Sequence, residues 1–384
     1  MMDRMYPRSV PLLILLFSAL LRAASPGHAQ DDAAQARPAP AEDNAATASP
    51  PPPPAGVIRV AAVGDIMMGT TFPEKILPPE DGATLFRASA PLLAGFDLVF
   101  GNLEGPLTEV GKSPKCPKPR RSGRPCFAFR TPPRYVERLS AAGFTAVNVA
   151  NNHSLDFGAD GLDNTLAVLD AAGIQAVGGE RVAVFTISGK RVAVAGFSYS
   201  LPHRYVHPLL DVDRAREIVK GLKAESDLVI VSFHGGAEGK GALNVADVEE
   251  EFLGEKRGNV VRFARAVVDA GADLVLGHGP HVLRAVEIYQ GKLIAYSLGN
   301  FATYSMFNLK GESGISCVLQ AELSPETGEV VRFRTPSVEL RDLGIPHPDA
   351  SGRAETLLRQ LSEDFLAKEP DAAQRRETLS RLWK

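Results

Sequence analysis

The chain has little cysteine, one tryptophan, almost no net charge and a single long apolar run. Its 384 residues carry three cysteines and a formal net charge of −3. Cys116 and Cys126 are separated by prolines and have no adjacent histidine, which makes a poor zinc site, and Cys317 in its apolar stretch is most simply a small buried hydrophobe. The near-balanced charge excludes generic nucleic-acid binding, which needs a basic surface. The apolar run Val10–Leu21 is too short to span a bilayer comfortably, and no cysteine follows it to carry a lipid anchor.

Arg4 and Arg8 precede that run and the small-x-small sequence Gly27-His28-Ala29 follows it. Residues 1–29 therefore read as a secretory signal cleaved after Ala29, which predicts an exported protein of the periplasm or cell envelope; a retained amino-terminal anchor is the alternative. Residues 30–56 are Ala, Pro and Asp with five consecutive prolines at Pro50–Pro54, a composition that predicts a disordered spacer. One folded domain is expected over 57–345, followed by a charged, peripheral helical extension over 346–384. Between Lys112 and Arg124 six basic residues occur without an acid. This segment is either a solvated loop or a contact for an anionic polymer or lipid head group, and in an oxidising compartment a Cys116–Cys126 disulfide would close it.

Five apolar, β-like segments each end on a residue able to hold a metal or move a proton. They are VIRVAAVGD at Asp65, DLVFGNLE at Glu104, TAVNVANNH at His153, DLVIVSFH at His234 and DLVLGHGPH at His281. Runs of this kind read as buried strands of a mostly parallel sheet, whose sites lie at the carboxyl ends. Helical spacing ending at glycine recurs at Pro132–Gly143 and Ala159–Gly173, and again before DLVIVSFH and DLVLGHG. AVFTISGKRVAVAGFS and HVLRAVEIYQGKLIAYSLGNF read as hairpins, and the segments near ISCVLQAEL and VVRFRTPSVEL as antiparallel. The fold class is α/β, with two mixed sheets between helices accommodating both kinds of unit.

Asp65 either ligates a divalent metal or makes a turn or helix cap. Asn102 and Glu104 share a face if their strand continues: Glu104 as a ligand, Asn102 as a positioning or turn residue. VANNHSLDFGADG concentrates Asn151, Asn152, His153 and Asp156. The Asn152 amide oxygen can ligate, the His153 imidazole can give a proton to a leaving oxygen, and Asp156 caps a helix or orients a neighbour. His234 precedes two glycines that permit close approach, with Glu238 as a partner for one of the histidines, and His278 and His281 form an H-x-x-H pair. Carboxylates, an amide and imidazoles without thiolate suit Zn, Mn or Fe, as one ion or two.

The strings VGDIMMG, GNLEGPLT, FRTPP, ANNHSLDFGADGLDNTL, HGGAE, GADLVLGHGPHVL and YSLGNF, from about Ile58 to Phe301, resemble the CapA family of capsule-biosynthesis proteins, a branch of the calcineurin-like metallophosphatase superfamily. The resemblance implies a four-layer αββα sandwich of two mixed sheets flanked by helices, with a metal centre at the sheet ends. It implies Asp65, Asn152, His234, His278 and His281 as ligands and Asn102 or Glu104 near the bridging-carboxylate position. His153 would be the proton donor. Beside these, Asn151, Asp156, Glu238 and Arg130 are candidate substrate or supporting residues. Met67 stands where the superfamily has histidine, Asn102 where it has aspartate, and the closing pair is H-x-x-H rather than H-x-H. Two functions fit: a metal-dependent hydrolase acting on a phosphoester or amide in capsule or poly-γ-glutamate synthesis or export, or a non-catalytic assembly or polymer-export factor, working with membrane-bound capsule synthesis proteins, whose metal site is structural or vestigial. In either case an anionic polymer such as poly-γ-glutamate would suit the basic loop.

Overall fold

The computed structural model describes residues 56–115, 127–200 and 206–384. The expected signal, the spacer, the Cys116–Cys126 pairing and most of the basic loop lie outside the described residues.

Two seven-stranded mixed sheets organise the chain. In the first, Ile58–Met67 pairs in parallel with Leu98–Leu103, which continues through Ala146–Asn148 to Gln175–Val177. On its other side Ile58–Met67 runs antiparallel to Leu319–Leu323, and past Asp65 it pairs in parallel with Asn300–Thr303. The second sheet runs Val286–Tyr289, Lys292–Ala295, Leu274–His278, Leu228–His234, Lys190–Ser198 and Ala183–Ile187, its middle strands parallel and the two predicted hairpins antiparallel at its edges.

Alternation along the first sheet sets the layers, because successive side chains point to opposite faces. Val60, Ala62, Leu98, Phe100 and Ala146 share a core with the second sheet, whereas Ala61, Val63, Val99 and Val147 pack with Leu139, Leu162, Leu166 and Leu169 of the helices Val136–Ala141 and Gly158–Ala171. Helices Val212–Glu225 and Val260–Asp269 bury Val219, Phe263 and Val267 in the core of the second sheet. This is the expected arrangement of two mixed sheets with helices outside.

Three features differ from expectation. ISCVLQAEL divides at Val318: Ile315–Cys317 joins Ser337–Arg341 and Ile345–Pro348 in a separate three-stranded sheet, while Leu319–Leu323 enters the first sheet. The expected boundary between 345 and 346 therefore falls inside a strand. The carboxyl-terminal segment is not peripheral, since helix Arg353–Leu366 buries Leu358, Leu361 and Phe365, and Trp383 packs tilted against Phe333 with centroids 5.0 Å apart. Its charged composition conceals one apolar face, which covers core that would otherwise meet water.

The strand ends of both sheets meet at one place. Gly64 permits the approach: a Cβ there would stand 1.9 Å from the Gly299 carbonyl oxygen. With that contact free, the Asp65 N–H donates to the same carbonyl at 2.9 Å, which fixes where the Asp65 carboxylate emerges.

Candidate metal centre

Glu104, the first residue beyond the strand Leu98–Leu103, is the hub of the site. Three imidazole Nε2 atoms surround its Oε1: His281 at 3.6 Å, His153 at 3.9 Å and His234 at 4.0 Å. These separations are too long for hydrogen bonds. They resemble the spacing of ligands around one ion, about 3.4 Å for tetrahedral geometry with bonds of about 2.1 Å. Neither Glu104 oxygen has a hydrogen-bond partner, and the residue is fully buried. Burial pushes its carboxyl well above the ordinary range, against the pull of His281.

Each imidazole is oriented by a different neighbour, so the three present different chemistry. His281 Nδ1 donates to Asp65 Oδ2 at 2.9 Å, and its backbone is left-handed at φ 58°. Burial would lower its pKa, but Glu104 and Asp65 outweigh burial and raise it to about 10, so the metal-free ring is charged at neutral pH. Burial also pushes Asp65 up, yet the His281 hydrogen bond and the nearby histidines leave it below its usual value. His153 Nδ1 donates to Asp156 Oδ2 at 2.8 Å. Burial lowers the His153 pKa despite Asp156, leaving a neutral ring with its lone pair on Nε2.

The state of His234 follows from a chain of amides. Asn148 Oδ1 accepts the Ala150 N–H at 3.1 Å, and Asn151 Oδ1 accepts the His153 N–H at 3.1 Å. Both amides must therefore turn their NH₂ groups to Asn102 Oδ1, at 2.9 and 3.1 Å. The Asn102 NH₂ is then left to donate to Asp65 Oδ1 at 2.9 Å and to His234 Nδ1 at 3.2 Å. A ring accepting at Nδ1 carries its proton on Nε2, so His234 faces Glu104 as a donor. That Nε2 has no partner, and burial holds the His234 pKa well below normal.

The remaining predicted residues divide clearly. Asn102 and Asn151 are saturated internal props, so of Asn102 and Glu104 it is Glu104 that offers free acceptor oxygens. Asp156 orients His153 and accepts the Phe129 N–H at 2.8 Å rather than capping helix Gly158–Ala171, whose N-cap is Phe157. The Asn152 Oδ1 is buried without a partner. His278 stands apart from the group, because its Nε2 lies 3.1 Å from the Val63 carbonyl and its Nδ1 3.3 Å from Ser232 Oγ. Both ring nitrogens are thereby used, Nε2 to tie the second sheet to the first at Val63 and Nδ1 to a neighbouring strand of its own sheet. Arg130 is packed over Phe157 and Phe72, with its Nε on Thr71 Oγ1. Glu238 Oε2 approaches His281 Nε2 to 4.0 Å.

Several site residues lack a strand-end signature. Phe129 packs 4.4 Å from the His153 ring, and Phe307 packs 4.8 Å from the His281 ring and 5.4 Å from Phe129. Asn300, at the end of YSLGNF, pairs in register with Asp65 and donates to the His281 carbonyl at 3.2 Å, with its Oδ1 unpartnered. That string was distinctive in sequence, and its asparagine was the available signal.

The orphaned acceptors fit a divalent ion. Among the described residues, one ligand atom from each of Asp65, Glu104 and His281 lies within 4.8 Å of the others. A buried oxygen and nitrogen donor set of this kind suits a divalent metal.

Residues 59–305 match the family model described as bacterial capsule synthesis protein PGA_cap. The PGA biosynthesis protein CapA of Bacillus subtilis is 27% identical over 326 residues, covering 80% of this chain and 78% of that protein. The capsule biosynthesis protein CapA of Bacillus anthracis is 30% identical over 265 residues, covering 64% and 59%. A solved phosphatase from Mycoplasma pneumoniae aligns over 77% of this chain and 95% of its own with TM-score 0.47 and 14% identity.

Proposed function

The chain belongs to the bacterial capsule synthesis family PGA_cap, and from that membership together with the site geometry we propose that it acts in making or exporting an anionic capsule polymer of the poly-γ-glutamate kind, through metal-dependent hydrolytic chemistry centred on Glu104. The observation that carries this reading is the unsatisfied Glu104 carboxylate with three imidazole Nε2 atoms turned toward it. A buried carboxyl without hydrogen bonds is costly whether it is ionised or forced to hold its proton, and a divalent ion removes that penalty.

Glu104 and His281 Nε2 would hold the ion, with Asp65 fixing the His281 ring and Asn152 Oδ1 as a further oxygen donor. When bound, the ion supplies Lewis acidity and lowers the pKa of water. His153 exchanges a proton at Nε2 with an attacking or leaving oxygen, and Asp156 holds the tautomer that makes this possible. His234 Nε2–H donates to a developing oxyanion. Phe129 and Phe307 shield the rings from solvent.

The substrate class in this reading is a phosphoester or an amide of an anionic polymer, met at the cell envelope after export. Lys115, at the start of the basic segment, lies 2.6 Å from Asp156 Oδ1 and donates to the Asn152 carbonyl at 2.6 Å, so positive charge begins at the rim of the site. The test is metal analysis of purified protein, joined to turnover assays of wild type and His153→Ala on phosphoesters and on poly-γ-glutamate. Stoichiometric Zn, Mn or Fe with turnover lost in the variant supports the reading. Bound metal with equal, near-zero turnover in both assigns the protein to a non-catalytic assembly role.

A further inference from the structure

Outside the two main sheets lies a short hairpin, Glu250–Phe252 paired antiparallel with Glu255–Gly258. Its tip, Leu253, is 85% exposed, yet it sends two charged side chains inward. Glu250 Oε2 accepts the Ala237 N–H at 2.8 Å, three residues past His234, and Glu250 Oε1 accepts from Arg284 Nη1 at 3.0 Å, three residues past His281. One carboxylate thus bridges the two histidine-bearing loops. Arg284 is buried at 1% exposure, and Gly236 makes room for it, since a Cβ there would stand 2.8 Å from Arg284 Nη1.

The second strand repeats the connection. The Arg257 carbonyl accepts the Gly236 N–H at 2.9 Å, and Arg257 Nη1 donates to Glu238 Oε1 at 2.6 Å, which leaves Glu238 Oε2 facing His281 Nε2. The Arg257 guanidinium lies 4.1 Å from the centroid of the Tyr199 ring, which stacks on His234 with centroids 6.0 Å apart. Arg257 is only 3% exposed. The loops also touch directly, Gly235 N–H to the His278 carbonyl at 2.9 Å and Gly239 N–H to the Pro280 carbonyl at 2.8 Å. Four backbone or side-chain ties therefore run from the hairpin to the loop after His234, to Glu238 and to the loop after His281.

We propose that the hairpin Glu250–Gly258 is a clasp that sets the spacing of His234 and His281, with Glu250 and Arg257 as positioning residues for the metal centre. A tip that buries nothing and a base that bridges both loops is the arrangement of a brace rather than of a core element. The role in metal capture rests on the metal-dependent function proposed above, whereas the bracing of the loops does not.

The test therefore has a metal-free arm. Glu250→Gln, Arg257→Met and Arg257→Lys are compared with wild type and with Leu253→Asn, a tip control that suits the left-handed backbone at φ 52°. In metal-free protein, amide exchange at Gly235–Ala237 and at 282–284 should rise about tenfold or more in Glu250→Gln and Arg257→Met, the size expected for losing a hydrogen bond to a charged group. Exchange in the strands Ile58–Met67 and Leu98–Leu103 should stay at the wild-type rate. Affinity for added Zn²⁺ should fall about 10- to 100-fold in the same two variants, the usual effect of removing a residue that orients a ligand, with a changed Co²⁺ absorption band and part of the loss restored in Arg257→Lys. Unchanged loop exchange in both variants overturns the clasp. Faster loop exchange in a protein that binds no metal even as wild type leaves the clasp standing and refutes the metal centre.

Discussion

Replacing Glu104 with glutamine distinguishes a ligand from a residue that merely fills space. The carboxylate is fully buried and both oxygens lack hydrogen bonds. A buried polar group in that state costs about 1–3 kcal/mol, and a neutral amide that can donate toward the His153 lone pair relieves it. The metal-free Glu104→Gln protein should therefore be as stable as wild type, or more stable by up to about 2 kcal/mol. The pH dependence follows the same logic. Because burial raises the folded-state pKa of Glu104, the fold holds this proton more tightly than the unfolded chain, and its contribution is lost as pH rises above the ordinary carboxyl range. His281, raised to about 10, acts in the same direction above the ordinary histidine range. The variant should lose the Glu104 part of that slope. Metal reverses the comparison: at a concentration 100 times Kd the wild type gains about 2.7 kcal/mol. With an unfolding entropy of about 0.7 kcal/mol/K for a domain of this length, that is a rise of about 4 °C in Tm. Thermal melts with and without Zn²⁺ or Mn²⁺ measure both quantities. A metal-free variant destabilised by more than about 2 kcal/mol, or one that keeps the metal-induced rise, refutes the assignment.

His153→Ala should retain metal and lose about 10²- to 10⁴-fold in turnover, with Asp156→Asn falling part of the way because Nδ1 loses its acceptor; this is read from kcat on whichever ester or amide the wild type cleaves. Metal uptake at pH 7 should release at least one proton, because His281, charged in the metal-free site, must give up its Nε2 proton and the Glu104 carboxyl, raised by burial, must give up any proton it holds; calorimetry in buffers of differing ionisation enthalpy reads this as a slope, and a flat plot counts against it. Gly64→Ala should destabilise the fold by about 3 kcal/mol or more, because the added Cβ meets a backbone carbonyl that cannot rotate away; a urea midpoint within error of wild type would show that the strands can part at no penalty.

The positions of Asp65, Glu104, His153, His234 and His281 were legible because apolar runs announce strands and the residue after each run sits at a strand end. What each ring does was not legible, since that depends on partners far away in the chain. His278 and His281 lie in one five-residue string, GHGPH, yet one is consumed by a carbonyl 215 residues earlier and the other faces Glu104. No spacing rule separates them. Glu250 and Arg257 were invisible for a related reason: in DVEEEFLGEKR they read as solvated charge, and only the packing of the hairpin against two loops buries their heads. The division of ISCVLQAEL at Val318 escaped for want of any local mark, because both halves alternate correctly for a strand and the change of sheet is made by the partners they find.

The two departures at Asn102 and Met67 act on the same property of the site, its count of available lone pairs. An aspartate at 102 would accept a proton from His234 Nδ1 and free Nε2 to ligate. The asparagine donates instead, and because Asn148 and Asn151 pin it through backbone hydrogen bonds, it cannot turn over without stranding both. Met67 is buried and its sulfur accepts the Gly69 N–H, so the second position offers no imidazole. With His278 spent on Val63, the imidazole lone pairs facing Glu104 are those of His281 Nε2, once its proton is lost, and His153 Nε2. An Nε2–H donor beside those lone pairs is arranged to hold one oxygen, and the donor that His234 provides there exists because residue 102 is an amide.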